Sequence, residues 1–238
     1  MNIADTIERY HKRTRDNLWM HYFTIFTRVA LAAGFIPSGM VKILGERFTA
    51  LSSQHPLGQY FDALDHTGYY YTFIGVMQVT AAILLLIPRT ALLGALIYFP
   101  IILNIVILTF SVRFDGSLFT SPLMLMANVY ILFWNYDKLK HLLSTRQLDF
   151  RFASVFPKAP NKKFPIYSFI TVLAITVGTV FGTTNMYDIM PKNTMPECKK
   201  QFDEDANPQA VQAFCDCIHT EGKRLNDCMK QYWKLAEN

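Results

Sequence analysis

Five polar side chains lie in stretches that are otherwise apolar: Arg28, Lys42, Gln78, Asn104 and Asn128. All five donate N–H. A ligand that accepts such bonds inside a lipid layer is one with carbonyl oxygens on a ring, a quinone above all. Phe35, Tyr71 and Tyr98 offer aromatic faces to such a ring. The five donors are therefore the candidate ligand-binding set, with a quinone as the candidate cofactor. The plainer alternative is that they are interhelical glue, since polar side chains bond across packed membrane helices for roughly 1 kcal/mol each. Two of the five share one stripe. Counted by helical steps, Arg28, Leu31, Phe35, Ser38 and Lys42 fall on one face of the stretch 24–44. A charge at mid-bilayer costs roughly 3 kcal/mol on insertion scales, so the stripe should face other helices or water. Otherwise both cations snorkel to opposite headgroup layers.

The second chemical set is Cys198, Cys215, Cys217 and Cys228, all the cysteines of the chain and all in its last quarter. An even count confined to one segment points to disulfides in an oxidising compartment. Cys215 and Cys217 are two positions apart on a helix and point to different sides, so each can meet a neighbouring helix. Two connectivities fit: Cys198–Cys215 with Cys217–Cys228, or Cys198–Cys217 with Cys215–Cys228. Zinc would need Cys215, Cys217, His219 and Cys228 at a spacing that is not a standard pattern. There is no Cys-x-x-Cys redox pair and no haem-attachment motif, so no metal is expected.

Other chemistry has no support. The sequence has no phosphate-cradling glycine loop, no Gly-x-Ser-x-Gly elbow and no His-Glu-x-x-His motif. The apolar stretches hold no carboxylate for a proton relay. His21, His55, His66 and His141 are scattered at expected helix ends and loops and read as surface or interfacial residues. No catalytic residue can be named.

The elements that must hold these groups are read from missing charge. Half the residues (51%) are apolar and 17% charged, and the charges are unevenly spread. None occurs between Asp65 and Arg89, Arg89 and Arg113, Asp115 and Asp137, or Lys163 and Asp188. Each gap holds the roughly 20 apolar residues of a spanning helix. With 24–44 this predicts five: 24–44, 67–88, 90–112, 118–136 and 165–184. Tyr71, Gly75, Gln78 and Ala82 share a face of the second. A short interfacial helix behind Pro56 is predicted in the loop 45–66 from the spacing of Leu57, Tyr60, Phe61 and Leu64. The tail predicts three short helices, at 197–203, 208–220 and 223–235, too small a body to build a core without its cystines.

The basic residues set the orientation. Arg9, Lys12, Arg13 and Arg15 precede the first helix. Lys138, Lys140, Arg146, Arg151, Lys158, Lys162 and Lys163 lie between the fourth and fifth, whereas the loops after the first and third carry one each. Lys and Arg stay on the cytoplasmic side. The expected organisation is a cytoplasmic leader (1–21), a four-helix transmembrane bundle (22–136), a cytoplasmic basic connector (137–164), a fifth spanning helix (165–184) and an extracytoplasmic tail (185–238). The leader lacks a small-residue cleavage site, so the first helix should be its own insertion signal. The excess of Lys and Arg is explained by this topology and does not call for nucleic acid as a partner.

The segments RVALAAGFIPSGMVKILGERF and HTGYYYTFIGVMQVTAAILLLIPRTALLGALIYFPIILNI resemble the DoxX-like membrane proteins of bacteria. The resemblance covers residues 22–140. It is carried by Arg28, the small residues up to Gly39, Lys42, Gly75, Gln78 and the Leu-Leu-x-Ile-Pro end of the second helix. It implies an all-α, four-helix bundle in the bacterial inner membrane. Among such proteins some are linked to quinone-coupled oxidation and others to the assembly of redox or membrane complexes. The fifth helix and the cysteine tail are additions to that pattern. The expectation is an accessory or assembly subunit that contacts membrane lipid and other membrane or periplasmic subunits, with the tail as docking module. A quinone-linked oxidoreductase component is the alternative, and a small-molecule transporter the third.

Overall fold

A computed structural model describes residues 14–143, 161–203 and 205–236. The basic residues Arg9, Lys12, Arg13, Arg146, Arg151 and Lys158, and the side chains of Lys140 and His141, lie outside the described residues. What is described is all-helical. In chain order the helices are α1 (Leu18–Ile43), α2 (Pro56–Asp65), α3 (Tyr69–Leu86), α4 (Ala91–Val112), α5 (Thr120–Trp134), α6 (Tyr136–Leu143), α7 (Ile166–Thr184), α8 (Met195–Lys200), α9 (Pro208–His219) and α10 (Leu225–Ala236). A 3₁₀ turn, Asp115–Ser117, leads into α5. Helices α1, α3, α4, α5 with its 3₁₀ turn, and α7 are long and apolar enough to cross a membrane.

The chain divides into two compact units, each taking part of every spanning helix. Met1–Pro37, Met77–Leu103 and Leu123–Thr179 form the first; Ser38–Val76, Asn104–Pro122 and Val180–Asn238 form the second.

In the first unit, α1 starts earlier than the apolar pattern suggested because Asn17 caps it. Its side-chain oxygen accepts from the Trp19 and Met20 amides at 3.0 and 3.3 Å, satisfying two of the orphan donors of a helix start. The Asn17 amide donates to Lys163 O (2.7 Å), and Arg15 pairs with Asp137 at 2.8 Å. The connection between α3 and α4 is a tight antiparallel turn. Thr90 Oγ1 donates to Leu84 O (3.0 Å), and Gly94 sits against backbone: a Cβ there would lie 2.6 Å from Leu85 N. The core is Leu31, Phe35, Ala81, Ala82, Leu85, Ala95, Tyr98 and Ile131, all buried.

In the second unit, α1 and α3 approach at Gly39 and Gly75. A Cβ on Gly75 would lie 2.6 Å from Gly39 O and 2.8 Å from Lys42 Cβ, so only glycine permits this approach. Tyr71 and Gly75 are buried here, and Gln78 and Ala82, on the same face of α3, are buried in the first unit, as the shared face required. The loop helix α2 forms where Pro56 predicted it. His55 caps it, its Nδ1 accepting from Leu57 N at 3.1 Å, and Leu57 and Phe61 pack with Leu51 and, beside them, Leu108, Val112 and Phe114.

The tail has its own core. Phe214, Ile218, Ala210 and Tyr232 surround two disulfides, Cys198–Cys215 and Cys217–Cys228. Thr194 and Asn207 cap α8 and α9. Of the two connectivities that fitted the spacing, the first is the one formed, and the described residues hold no free cysteine.

Candidate functional site

Arg28 is buried, 8% exposed, and meets backbone. Its Nε donates to Leu85 O at 2.5 Å and its Nη2 to Leu86 O at 2.6 Å. Those carbonyls close α3, ahead of Pro88, and a helix end leaves its last carbonyls without intrahelical partners. A cation at a helix C-terminus also complements the macrodipole. Arg28 is therefore the cap of α3, within the first unit.

Lys42 is 4% exposed and lies in the second unit. Its ammonium donates to Ser38 O at 2.8 Å and to Ser38 Oγ at 2.9 Å. It lies over the Phe48 ring, 4.0 Å from the centroid. Two hydrogen bonds and a cation–π contact hold the charge without a carboxylate. Both cations are buried against the chain's own groups, and both lie on the stripe that the helical spacing defined.

The three amides fare differently. Asn128 is fully buried in the first unit, its Nδ2 donating to Ala95 O at 3.2 Å. Its Oδ1 has no hydrogen-bond partner among the described residues. Gln78 is buried in the same unit. Asn104 belongs to the second unit and sits on an exposed face of α4. The ring slot is filled by its own walls. Phe35 stacks on Tyr98 with centroids 3.5 Å apart and planes at 14°, and Tyr98 OH donates to Leu31 O at 3.3 Å. Tyr71 belongs to the second unit and donates to Glu46 O at 3.0 Å.

A constellation that the sequence did not single out lies elsewhere in the second unit, where the tail is seated on the loops. Gln59 Nε2 on α2 donates to Gly222 O at 2.7 Å. Arg113 Nη1 donates to Ile189 O at 2.9 Å while its guanidinium covers the Tyr187 ring at 4.4 Å. Lys192 pairs with Asp115 at 2.7 Å. His219 Nε2 bonds Pro191 O at 2.9 Å, and its ring lies 6.0 Å from that of His55. Burial first, then the charge of His219, pushes His55 down to about 4, against a hydrogen bond to the Lys192 backbone that favours the charged form. Neutral His55 is also what the cap needs, since its Nδ1 must accept. The signal that could have found this seat is the pair of cations in left-handed backbone, Arg113 (φ 51°) and Lys192 (φ 55°), but left-handed backbone in non-glycine residues has no sequence signature.

Polar interior, apolar exterior, five spanning helices and a cystine-stapled tail together define a multi-pass helical membrane protein. The chain belongs to the family of the uncharacterized protein YwoB of Bacillus subtilis (strain 168), to which it is 37% identical over 126 residues, 50% of this chain and 80% of that protein. No family model matches the chain. No solved structure matches it either.

Proposed function

We propose that this protein is an accessory or assembly subunit of a membrane complex, built on a DoxX-like four-helix core. In this reading it lies in the bacterial inner membrane with its amino end cytoplasmic and its tail outside. One observation carries the reading. The cations that would bind a quinone are already engaged by the chain itself, Arg28 as the cap of α3 and Lys42 on Ser38 and Phe48. Side chains spent on fold stability suit a scaffold better than a redox site. The stapled tail gives that scaffold a fixed face toward a periplasmic partner subunit, and the distribution of Lys and Arg supports the orientation.

A second reading, a quinone-linked oxidoreductase component, is favoured by one observation. Asn128 Oδ1 is a buried acceptor without a partner among the described residues, and such a group asks for a donor such as a quinol hydroxyl. Native mass spectrometry on gently extracted complexes separates the two. A stoichiometric protein partner, released when the chain is cut after Thr184, is the expected result. A stoichiometric quinol, lost in Asn128→Leu while the fold is kept, overturns it in favour of the second reading.

A further inference from the structure

A hollow of about 420 Å³ lies in the second unit, beside the carboxyl end of α7 and the turn into α5. It is half open. Its apolar part is formed by Leu118, Phe119 and Met190, its polar part by Asp115, Thr184, Asp188 and Lys192 among others. The two elements that bound it are spanning segments at the point where they end, Thr184 being the last residue of α7. That is the depth at which lipid headgroups lie.

The polar groups are not equivalent. Thr184 Oγ1 spends its proton on Val180 O at 2.8 Å and accepts from Asn185 Nδ2 at 3.4 Å, so toward the hollow its remaining lone pair is an acceptor. Asp188 is exposed and makes no ion pair among the described residues. The Gln201 amide is consumed by the wall, accepting from Met190 N and donating to Met190 O and Cys198 O. Lys192 bonds Asp115 through one proton and has two more. The hollow therefore presents two carboxylates and a hydroxyl acceptor against one ammonium. An anion alone leaves Asp188 without a partner there. A group with several N–H donors and one phosphate meets a partner for each.

We propose that this hollow binds the headgroup of a phosphatidylethanolamine-type lipid. The primary ammonium is held by Asp188 and Thr184, the phosphate by Lys192, and the acyl chains leave past Phe119. A quaternary ammonium has no N–H to give, so phosphatidylcholine lacks the feature that is read. A phosphatidylglycerol headgroup brings no cation to Asp188.

The test uses the full chain in mild detergent, with dioleoyl phosphatidylethanolamine, phosphatidylcholine and phosphatidylglycerol added at equal concentration and bound lipid counted by native mass spectrometry. The ethanolamine lipid is expected to bind roughly tenfold better than the other two, about one charge-assisted hydrogen bond's worth. Asp188→Asn should bring that ratio near one, and Thr184→Val should reduce it by a smaller factor. Asp188 is exposed and Thr184 lies on an exposed helix end, and intact disulfides in both variants confirm the fold. Equal retention of the three lipids, or a preference unchanged in Asp188→Asn, overturns the proposal. So does soluble glycerophosphoethanolamine binding as tightly as the lipid, because the hollow would then serve a free phosphoamine.

Discussion

The spanning helices and the tail bury opposite chemistry. In the helices the buried set includes Arg28, Lys42, Gln78 and Asn128, and the exposed faces are apolar, Phe26 and Phe133 among them. In the tail the buried set is Phe214, Ile218 and four cystine sulfurs, and the exposed faces are rich in Lys, Asp, Glu and Gln. Each arrangement is what its solvent demands. Lipid gives a polar group no partner, so the helices must satisfy theirs inward, on their own carbonyls. Water rewards apolar burial, but the tail has few apolar residues to bury and makes up the difference with covalent links. The helices also differ among themselves. About 39% of an 18-residue apolar stretch of α1 is buried and only 6% of one of α7, so α7 leaves most of its surface to lipid or to another chain.

The contrast can be broken at several points, taken here from the largest expected effect to the smallest. Replacing Cys217 and Cys228 together by Ser should destabilise the tail by about 2–4 kcal/mol, because the closed loop no longer restricts the unfolded chain. Limited proteolysis of the tail should accelerate strongly while cleavage within the spanning helices stays unchanged. Gly75→Leu should cost about 1–3 kcal/mol or more, since its side chain meets the Gly39 backbone, and should lower the Tm in detergent. Arg28→Met removes the cap from the buried Leu85 carbonyl and the part-buried Leu86 carbonyl, and a loss of about 1–3 kcal/mol is expected. If Arg28→Met is neutral in Tm yet abolishes activity of a partner complex, the capping role is secondary. Gln59→Ala should be the mildest, about 0.5–1.5 kcal/mol for one exposed hydrogen bond, visible as faster exchange of the adjoining Lys223 amide, which bonds Cys217 O.

Acid sharpens the contrast differently. His55 is held neutral: its folded pKa lies at about 4, under an ordinary value near 6.5. The neutral form is the one favoured by the fold, so its contribution is complete above pH 6.5 and is lost as the pH falls toward 4. Between those values the α2 cap should loosen and the tail seat weaken. Hydrogen exchange of the α2 amides, compared with His55→Gln, should show a pH dependence in the native chain that the variant lacks.

How much of this was legible before the structure follows from which groups carry a side-chain signature. The five spanning helices were, because each is bounded by charge, proline or turn residues. The tail helices were, because Pro208 and Gly222 punctuate them. The shared stripe of Arg28, Leu31, Phe35 and Lys42 was, because helical spacing defines it, although spacing left open whether its cations face inward or snorkel. The partners of Arg28 were not: carbonyl oxygens belong to every residue, so nothing marks Leu85 and Leu86 as acceptors. The choice between two cystine pairings was not, since Cys215 and Cys217 are related by the helix itself and only the crossing of α9 with its neighbours decides. Asn104 joined the ligand set on residue type, and its exposed position on α4 depends on packing that composition does not encode. The Arg113–Tyr187 and Lys192–Asp115 contacts join residues about seventy-five positions apart, a range over which no local pattern reports.

The cystines span 17 and 11 positions, and both stay within the tail. None ties the tail to a loop of the spanning part; among the described residues that junction is made of single hydrogen bonds, one ion pair and a stacked guanidinium. Biogenesis can therefore run in separable stages. The segment 195–236 can be oxidised and folded by itself, and the finished tail can settle on the loops afterwards, reversibly, with no sulfur exchange needed to release it.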